Sequence, residues 1–377
     1  MATVIPHLKI LAGFEAVEKI IFCSIERTRK KPKVEIPKVK HVHLVSRSIG
    51  NVFVTKSIDL IQFPRQAIKL CNVHKIDMII CRSSPAGVIG HIVSRQLRIP
   101  YIVESFEPHA DYMLEARVWM RYDPRFLLQK YFESKQKQAS DFLLPVSHQY
   151  KAKLLEEGIP EAKIVVVPCC VALEQFAYHA EKRSKIRVAL NISNDAVVGI
   201  YAGKFGGIYF DKEAFQIFHE AFLFFGDKFR LILLTDASNE FVQKRCAEMN
   251  LPLEKVVATL VPHNVVPSYL SAADFAFSTI KPSPSRIYCS PIKNAEYWAN
   301  GLPVLLCSGI GDDSEIIETE GGGVLIDMMN ISASLEEMKK LIERGRKRNA
   351  DEISLLARKH RDIERVRSAY RVVFNLS

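Results

Sequence analysis

The segment SPIKNAEYWANGLPV, Ser290 to Val304, carries the most chemistry in the chain. Ser290 suits a helix N-cap, Pro291 the first helical position, and Ile292 to Asn300 continues at helical spacing until Gly301 ends it before an apolar run. A helix that starts at the mouth of a buried strand turns unpaired N–H groups and the positive end of its dipole toward a ligand, and a pyrophosphate is held in this way. Lys293 lies in the first turn, where a lysine gains nothing from the dipole, so its place favours an anionic ligand. Glu296, three residues on, is spaced to accept paired hydrogen bonds from ribose hydroxyls. The competing reading is a solvated Lys-Glu pair at i, i+3.

A second glycine-bearing turn, GKFGGIYFDKEAF from Gly203 to Phe215, follows an apolar run. Gly203, Gly206 and Gly207 let backbone approach a ligand closely, and Lys204 and Lys212 add positive charge beside it. Together the two turns make two anion-binding corners in one half of the chain. No Asp-x-Asp triplet occurs, so the carboxylate pair that usually holds a divalent metal on a nucleotide sugar is missing. The expectation is a site without metal or cofactor, in which Lys204, Lys212, Lys293 and helix N–H groups neutralise a leaving diphosphate.

The elements that must position these residues alternate between short apolar, β-branched runs and longer helical stretches, the pattern of parallel sheets covered on both faces. Strand candidates in the first half are Ile20 to Ser24, His41 to Val45, Asp77 to Cys81, Tyr101 to Glu104, Asp141 to Val146 and Ile164 to Val167. After a charge-rich passage from Glu174 to Lys185 the alternation restarts with Ala196 to Tyr201, Arg230 to Leu234, Val256 to Leu260, Asp274 to Ser278, Val304 to Cys307 and Val324 to Ile326. That restart marks a second domain, and Asp351 to Phe374 reads as one or two terminal helices. A doubly wound domain opens with a buried strand, yet Val4 to Val17 already reads as a helix, so beside Asp77 to Cys81 the first sheet is expected to carry a gap or a neighbouring element that fills it.

At 377 residues, with 48% hydrophobic and 25% charged residues, the chain suits two folded domains. No apolar run reaches the roughly 18 to 20 residues that span a bilayer, and no leader pattern opens the chain, so the expected location is the cytoplasm or the inner face of the membrane. Eight scattered cysteines without a C-x-x-C pair read as packing thiols. The net charge of +10 is partly concentrated at Arg27, Arg29, Lys30, Lys31, Lys33, Lys38 and Lys40. This run is either a contact for an anionic membrane surface or acidic acceptor, or a solvated loop, and no basic motif with interleaved aromatics points to nucleic acid.

The strand order, the Gly203-Lys204 turn, the Ser290 to Val304 segment and the passage VVPCCVALEQF from Val166 to Phe176 resemble the family-four retaining glycosyltransferases of GT-B fold, in the branch that builds bacterial surface polysaccharide. The resemblance implies an α/β protein with two Rossmann-like doubly wound domains facing a cleft and a C-terminal helix crossing back. The domains expected are residues 1–172 with about 358–377, which take the acceptor, and residues 173–357, which take the nucleotide-sugar donor. It implies transfer of a sugar from a nucleotide-diphosphate donor to a glycan or lipid-linked acceptor. His109, Lys204 and Glu296 would be catalytic. Gly203, Gly206, Gly207, Lys212, His263, Tyr288, Ser290, Pro291, Ile292, Lys293, Gly311 and Asp312 would bind donor. Glu296 matches the second of two family glutamates eight positions apart, whereas Tyr288 stands where the first would be, which puts the donor sugar in question. Asp312 to Ser314 would equally suit a helix cap, and His109, among Glu104, Glu107 and Asp111, an ion pair. Two other functions remain open: a nucleotide-sugar epimerase or hydrolase of the same fold, and a degenerate, membrane-docked binding subunit.

Overall fold

The computed structural model describes residues 4–27, 33–47, 50–105 and 107–375. The chain divides into two compact units, Met1–Val167 with Glu364–Ser377, and Pro168–Ile363. The first runs through α1 (Val4–Ala12), β1 (Ile20–Glu26), β2 (Val39–Val45), α2 (Val52–His74), β3 (Ile79–Arg82), α3 (Ser84–Leu97) and β4 (Tyr101–Ser105). It continues with α4 (His109–Glu115), α5 (Pro124–Ala139), β5 (Phe142–Pro145) and α6 (His148–Glu156).

Every strand pair of this unit is parallel, but among the described residues the strands form two separate ladders, β1 with β2 and β3-β4-β5. The sheet is thus interrupted beside β3, and β1, although apolar, has no fully buried residue. The run Ile164 to Val167, expected as a further strand, meets β5 only through the single bridge Leu143 to Ile164. Val165 and Val167 donate to Leu143 and Pro145, but Pro145 has no N–H to return a bond.

The second unit holds α7 (Leu173–Phe176), α8 (Ala180–Ala189), β6 (Val197–Ala202), α9 (Lys212–Phe225), β7 (Phe229–Leu234), α10 (Asn239–Glu248), β8 (Val256–Thr259) and α11 (Val266–Ala272). It goes on with β9 (Phe275–Ser278), α12 (Ile292–Ala299), β10 (Val304–Cys307), α13 (Gly311–Glu320), β11 (Gly323–Ile326), α14 (Ile331–Glu343) and α15 (Arg346–Arg361). The charge-rich passage Glu174 to Lys185, after which the strand pattern restarts, falls largely in the helices α7 and α8. Helix α8 folds because Arg187 is buried, with Asp274 2.8 Å away and the Ala272 and Ser193 carbonyls as further acceptors.

The six strands form one parallel sheet in the order β11-β10-β9-β6-β7-β8. β6, β7, β9 and β10 are buried almost throughout, since helices cover both faces and the strands read as continuous apolar runs. Where α12 ends, Gly301 takes a φ of 67°, and a Cβ there would fall 1.9 Å from Ala350 Cα, so glycine is what lets α15 lie against the helix end.

The last helix, α16 (Glu364–Val373), belongs with the first unit and packs on α1. Its Tyr370 hydroxyl donates to the buried Glu104 carboxylate of β4, which also holds Arg82 at 2.6 Å and His7 at 3.4 Å. Burial alone would raise the Glu104 carboxyl, but Arg82, His7 and Tyr370 together pull it below its ordinary value.

Candidate functional site

In the six-stranded sheet the strand order reverses between β6 and β9, and ligands of doubly wound sheets bind outside the carboxyl ends of the strands at such a switch point. The residues singled out in the second half all follow those ends. The Gly203 turn leaves β6, His263 lies beyond β8, the loop to Ser290 leaves β9, and Gly311 follows β10.

Helix α12 places Glu296 with only 3% of its surface exposed, so the pair with Lys293 is not a solvated one. Lys293 Nζ donates to Glu296 Oε2 at 2.9 Å, and His263 Nε2 lies 3.1 Å from Oε1, with its ring edge against Phe176. One carboxylate thus holds two cationic or donor groups while His263 stays half exposed. The paired donors fix the orientation of the buried carboxylate, and this cluster offers a charge for phosphate and an acceptor for hydroxyls side by side.

The start of α12 differs from the sequence reading. Pro291 occupies the N-cap position and Ile292 the first helical one, and Ser290 does not cap the helix. Its Oγ instead accepts from the Cys169 N–H at 3.0 Å and from the Arg361 guanidinium. Arg361 also binds Asp313, whose second oxygen accepts from Asn294 Nδ2 at 2.8 Å. Arg361, Asp313 and Asn294 are all buried, and burial pushes the Arg361 guanidinium below its ordinary pKa. Arg361 Nε and Asn294 Oδ1 find no protein partner. This brace ties the N-termini of α12 and α13 to the end of α15. The sequence gives no local signal for it, since Arg361 stands 71 positions from Ser290.

Gly311 opens α13 at φ 53°, and a Cβ would fall 2.1 Å from the Cys289 carbonyl, so the two helix starts approach through a glycine. Asp312 is half buried in the first turn and Tyr288 half buried in a short turn before Ser290, while the N-cap of α13 is Ile310, without a side-chain cap, its own N–H donating to Ser314 Oγ at 2.9 Å. At the other corner Tyr201 donates to the Lys204 carbonyl, and a Cβ on Gly203 would meet that tyrosine. Gly206 and Gly207 have φ of 79° and 64° with open space around them. Lys204 is 74% exposed and 3.1 Å from Asp236, an exposed pair that holds it weakly. Lys212 begins α9 and is exposed.

His109 lies in the first unit as the first residue of α4, 3.9 Å from Glu107 and stacked on Tyr112. Within the basic run, residues 28–32 lie outside the described residues, while Lys33 pairs with Glu35 and Lys38 donates to the Phe14 carbonyl. Among the described residues one group has metal-ligand spacing, Glu26, His41 and His43, with ligand atoms within 4.8 Å of one another. The Ser24 hydroxyl already bonds all three. Burial pushes the Cys81 and Cys307 thiols up to about 12 and those of Cys23 and Cys246 to about 11, which keeps these four protonated packing groups.

The profile of Glycosyltransferase Family 4 matches residues 19–175. The chain carries a glycosyltransferase family 4 domain. This glycosyltransferase is 23% identical over 296 residues, 76% of its length and 73% of the relative's, to UDP-Gal:alpha-D-GlcNAc-diphosphoundecaprenol alpha-1,3-galactosyltransferase of Escherichia coli. Its fold is similar to that of sucrose-phosphate synthase from Thermosynechococcus elongatus, with a TM-score of 0.76, 16% identity, and 98% of this chain and 92% of that one covered. Anabaena HepE in complex with UDP-glucose gives a TM-score of 0.66 at 12% identity, covering 94% of the glycosyltransferase and 99% of HepE. The GT-B architecture follows from these likenesses, whereas the role of each site residue does not.

Proposed function

We propose that this glycosyltransferase moves a hexose, with retention of anomeric configuration, from a UDP-sugar to a lipid-linked glycan acceptor. The observation that carries the reading is the buried Glu296, holding Lys293 and His263 beside a helix start at the switch point of a parallel sheet. The α12 N–H groups and Lys293 would neutralise the diphosphate, Glu296 would accept from ribose hydroxyls, and Lys204, at the end of β6, would add charge on the leaving group. The half-exposed His263 ring would lie against the base.

The acceptor oxygen bonds to the anomeric carbon as the bond from that carbon to the diphosphate oxygen breaks, and the acceptor proton passes to that leaving oxygen. No side chain needs to form a covalent intermediate, so the protein contributes position and charge. His109 would orient the sugar. The lipid-linked acceptor rests on the Escherichia coli relative, whose name specifies a diphosphoundecaprenol substrate, and UDP on HepE.

The test incubates the protein with UDP-galactose or UDP-glucose, with and without a lipid diphosphate bearing N-acetylglucosamine, and follows UDP release. Release that requires acceptor, an α-configured product by NMR, and activity that survives EDTA are expected. Equal release without acceptor would move the protein to the hydrolase or epimerase reading, and absence of nucleotide binding would leave a degenerate binding subunit.

A further inference from the structure

Strands β1 and β2 bring four polar side chains to one face of a two-stranded ladder. The parallel register sets Ser24 beside His43 and Phe22 beside His41, and residues two apart on a strand share a face, so Ser24, Glu26, His41 and His43 come together. His43 Nδ1 lies 3.7 Å from Glu26 Oε1, and one ligand atom from each of Glu26, His41 and His43 falls within 4.8 Å of the others.

The Ser24 hydroxyl marks the point on which these atoms converge. It donates to Glu26 Oε1 at 2.6 Å and faces His41 Nε2 at 2.8 Å and His43 Nδ1 at 3.4 Å. A hydroxyl has one proton, and with that proton on Glu26 it has none for an imidazole lone pair. The two rings stand 4.1 Å apart, centre to centre, too close for both to carry charge without repulsion. Neutral imidazoles beside a carboxylate are the form in which these groups take a metal ion.

The donor set selects the ion. Two imidazole nitrogens and one carboxylate oxygen suit zinc, whereas magnesium and calcium prefer oxygen ligands throughout. Bonds of about 2.0 to 2.2 Å in a tetrahedron put ligand atoms roughly 3.3 Å apart. The pair of His43 and Glu26 is near that spacing as it stands, and the remaining separations close by side-chain rotation as the Ser24 hydroxyl turns aside. The Phe22 ring packs 4.6 Å from the His41 ring, and the Glu26 and His43 side chains are only 15 and 21% exposed, so the carboxylate charge acts through little water.

The place of the cluster gives the ion a task. Among the described residues no third strand joins the ladder of β1 and β2, and a two-stranded sheet is marginally stable by itself. We propose that Glu26, His41 and His43 hold a zinc ion that clips β1 to β2, with water or the Ser24 hydroxyl as the fourth ligand. The ion is structural. Its ligands belong to the first unit and the residues proposed to hold the donor diphosphate to the second, so the transfer step makes no use of it.

The experiment strips the full chain with EDTA, removes the chelator and titrates the protein with zinc chloride by calorimetry. One zinc ion per chain is expected, with a melting temperature raised by roughly 5 °C or more at saturating zinc. Amide exchange at residues 20–26 and 39–45 should slow when zinc is added, and magnesium should have no such effect. His41→Gln, His43→Gln and Glu26→Gln should each bind zinc about a hundredfold more weakly, since each removes one of three protein ligands. Wild-type protein that takes up no zinc, or zinc that leaves exchange of the ladder unchanged, would overturn the proposal. So would variants that bind as tightly as wild type, because the ion would then sit on other side chains. The exchange measurement on wild type decides even where a variant does not fold. None of these readouts uses sugar transfer, so a failed zinc test leaves the reaction untouched, and a failed transfer assay leaves the zinc site standing.

Discussion

At the scale of single residues, Lys293 and Glu296 can be separated by what each would touch. Lys293→Ala removes a charge that would meet only phosphate, so it should weaken UDP about ten- to hundredfold and leave uridine unchanged, the loss of a charge-assisted bond of roughly 1.5 to 3 kcal/mol. Glu296→Gln should weaken UDP and uridine alike, since ribose is common to both. Calorimetric titration of both variants with both ligands decides, and wild-type affinities throughout would remove the donor assignment. The pair was legible in the sequence because both residues sit in one helix, where spacing fixes their proximity. Its burial was not, because His263 and Phe176 come from other segments. Ser290 shows the limit of local reading: a serine before a helix looks like a cap, but a guanidinium 71 positions away takes its oxygen.

At the scale of elements, the second-half strands were legible since buried parallel strands are plain apolar runs between glycines and charges. Helix α8 was not, because its sequence is polar and its order comes from Arg187 and Asp274, which lie 87 positions apart. The attachment of α16 to β4 makes a further prediction. Glu104 has a folded pKa below its unfolded value near 4.5, so its contribution is fully present above that value and is lost as pH falls through the lower folded one. Arg82→Ala removes the charge that pulls hardest against burial, which should cost about 3 to 5 kcal/mol at neutral pH. Burial then dominates and the carboxyl rises, so in the variant stability should fall as pH rises above about 4.5. Denaturant titrations of wild type and variant from pH 3 to 7 give the difference directly; a constant difference across that range would mean that Glu104 is not held by Arg82.

At the scale of the whole molecule, the sequence announced two α/β domains through the restart of its strand pattern, and the family resemblance through motifs that lie mostly in the second half. The family profile, however, matches residues 19–175, where few chemical groups had stood out. The two halves carry different kinds of information: the first keeps the family's framework with an interrupted sheet, and the second keeps the helix starts and turns that would bind a nucleotide. If this division is functional, UDP should be felt by one unit. Amide exchange with saturating UDP should slow at residues 203–213, 260–264 and 290–296, where the ligand would cover N–H groups or hold the turns that carry them, and a ligand at about 100 times its Kd adds roughly 2.7 kcal/mol against opening of the structure it binds. The ladder of β1 and β2 should exchange at the same rate with and without UDP, because the residues proposed to hold the nucleotide all belong to the second unit. Protection spread equally over both units would mean that the nucleotide contacts both, and protection confined to the first would place the donor in the wrong half.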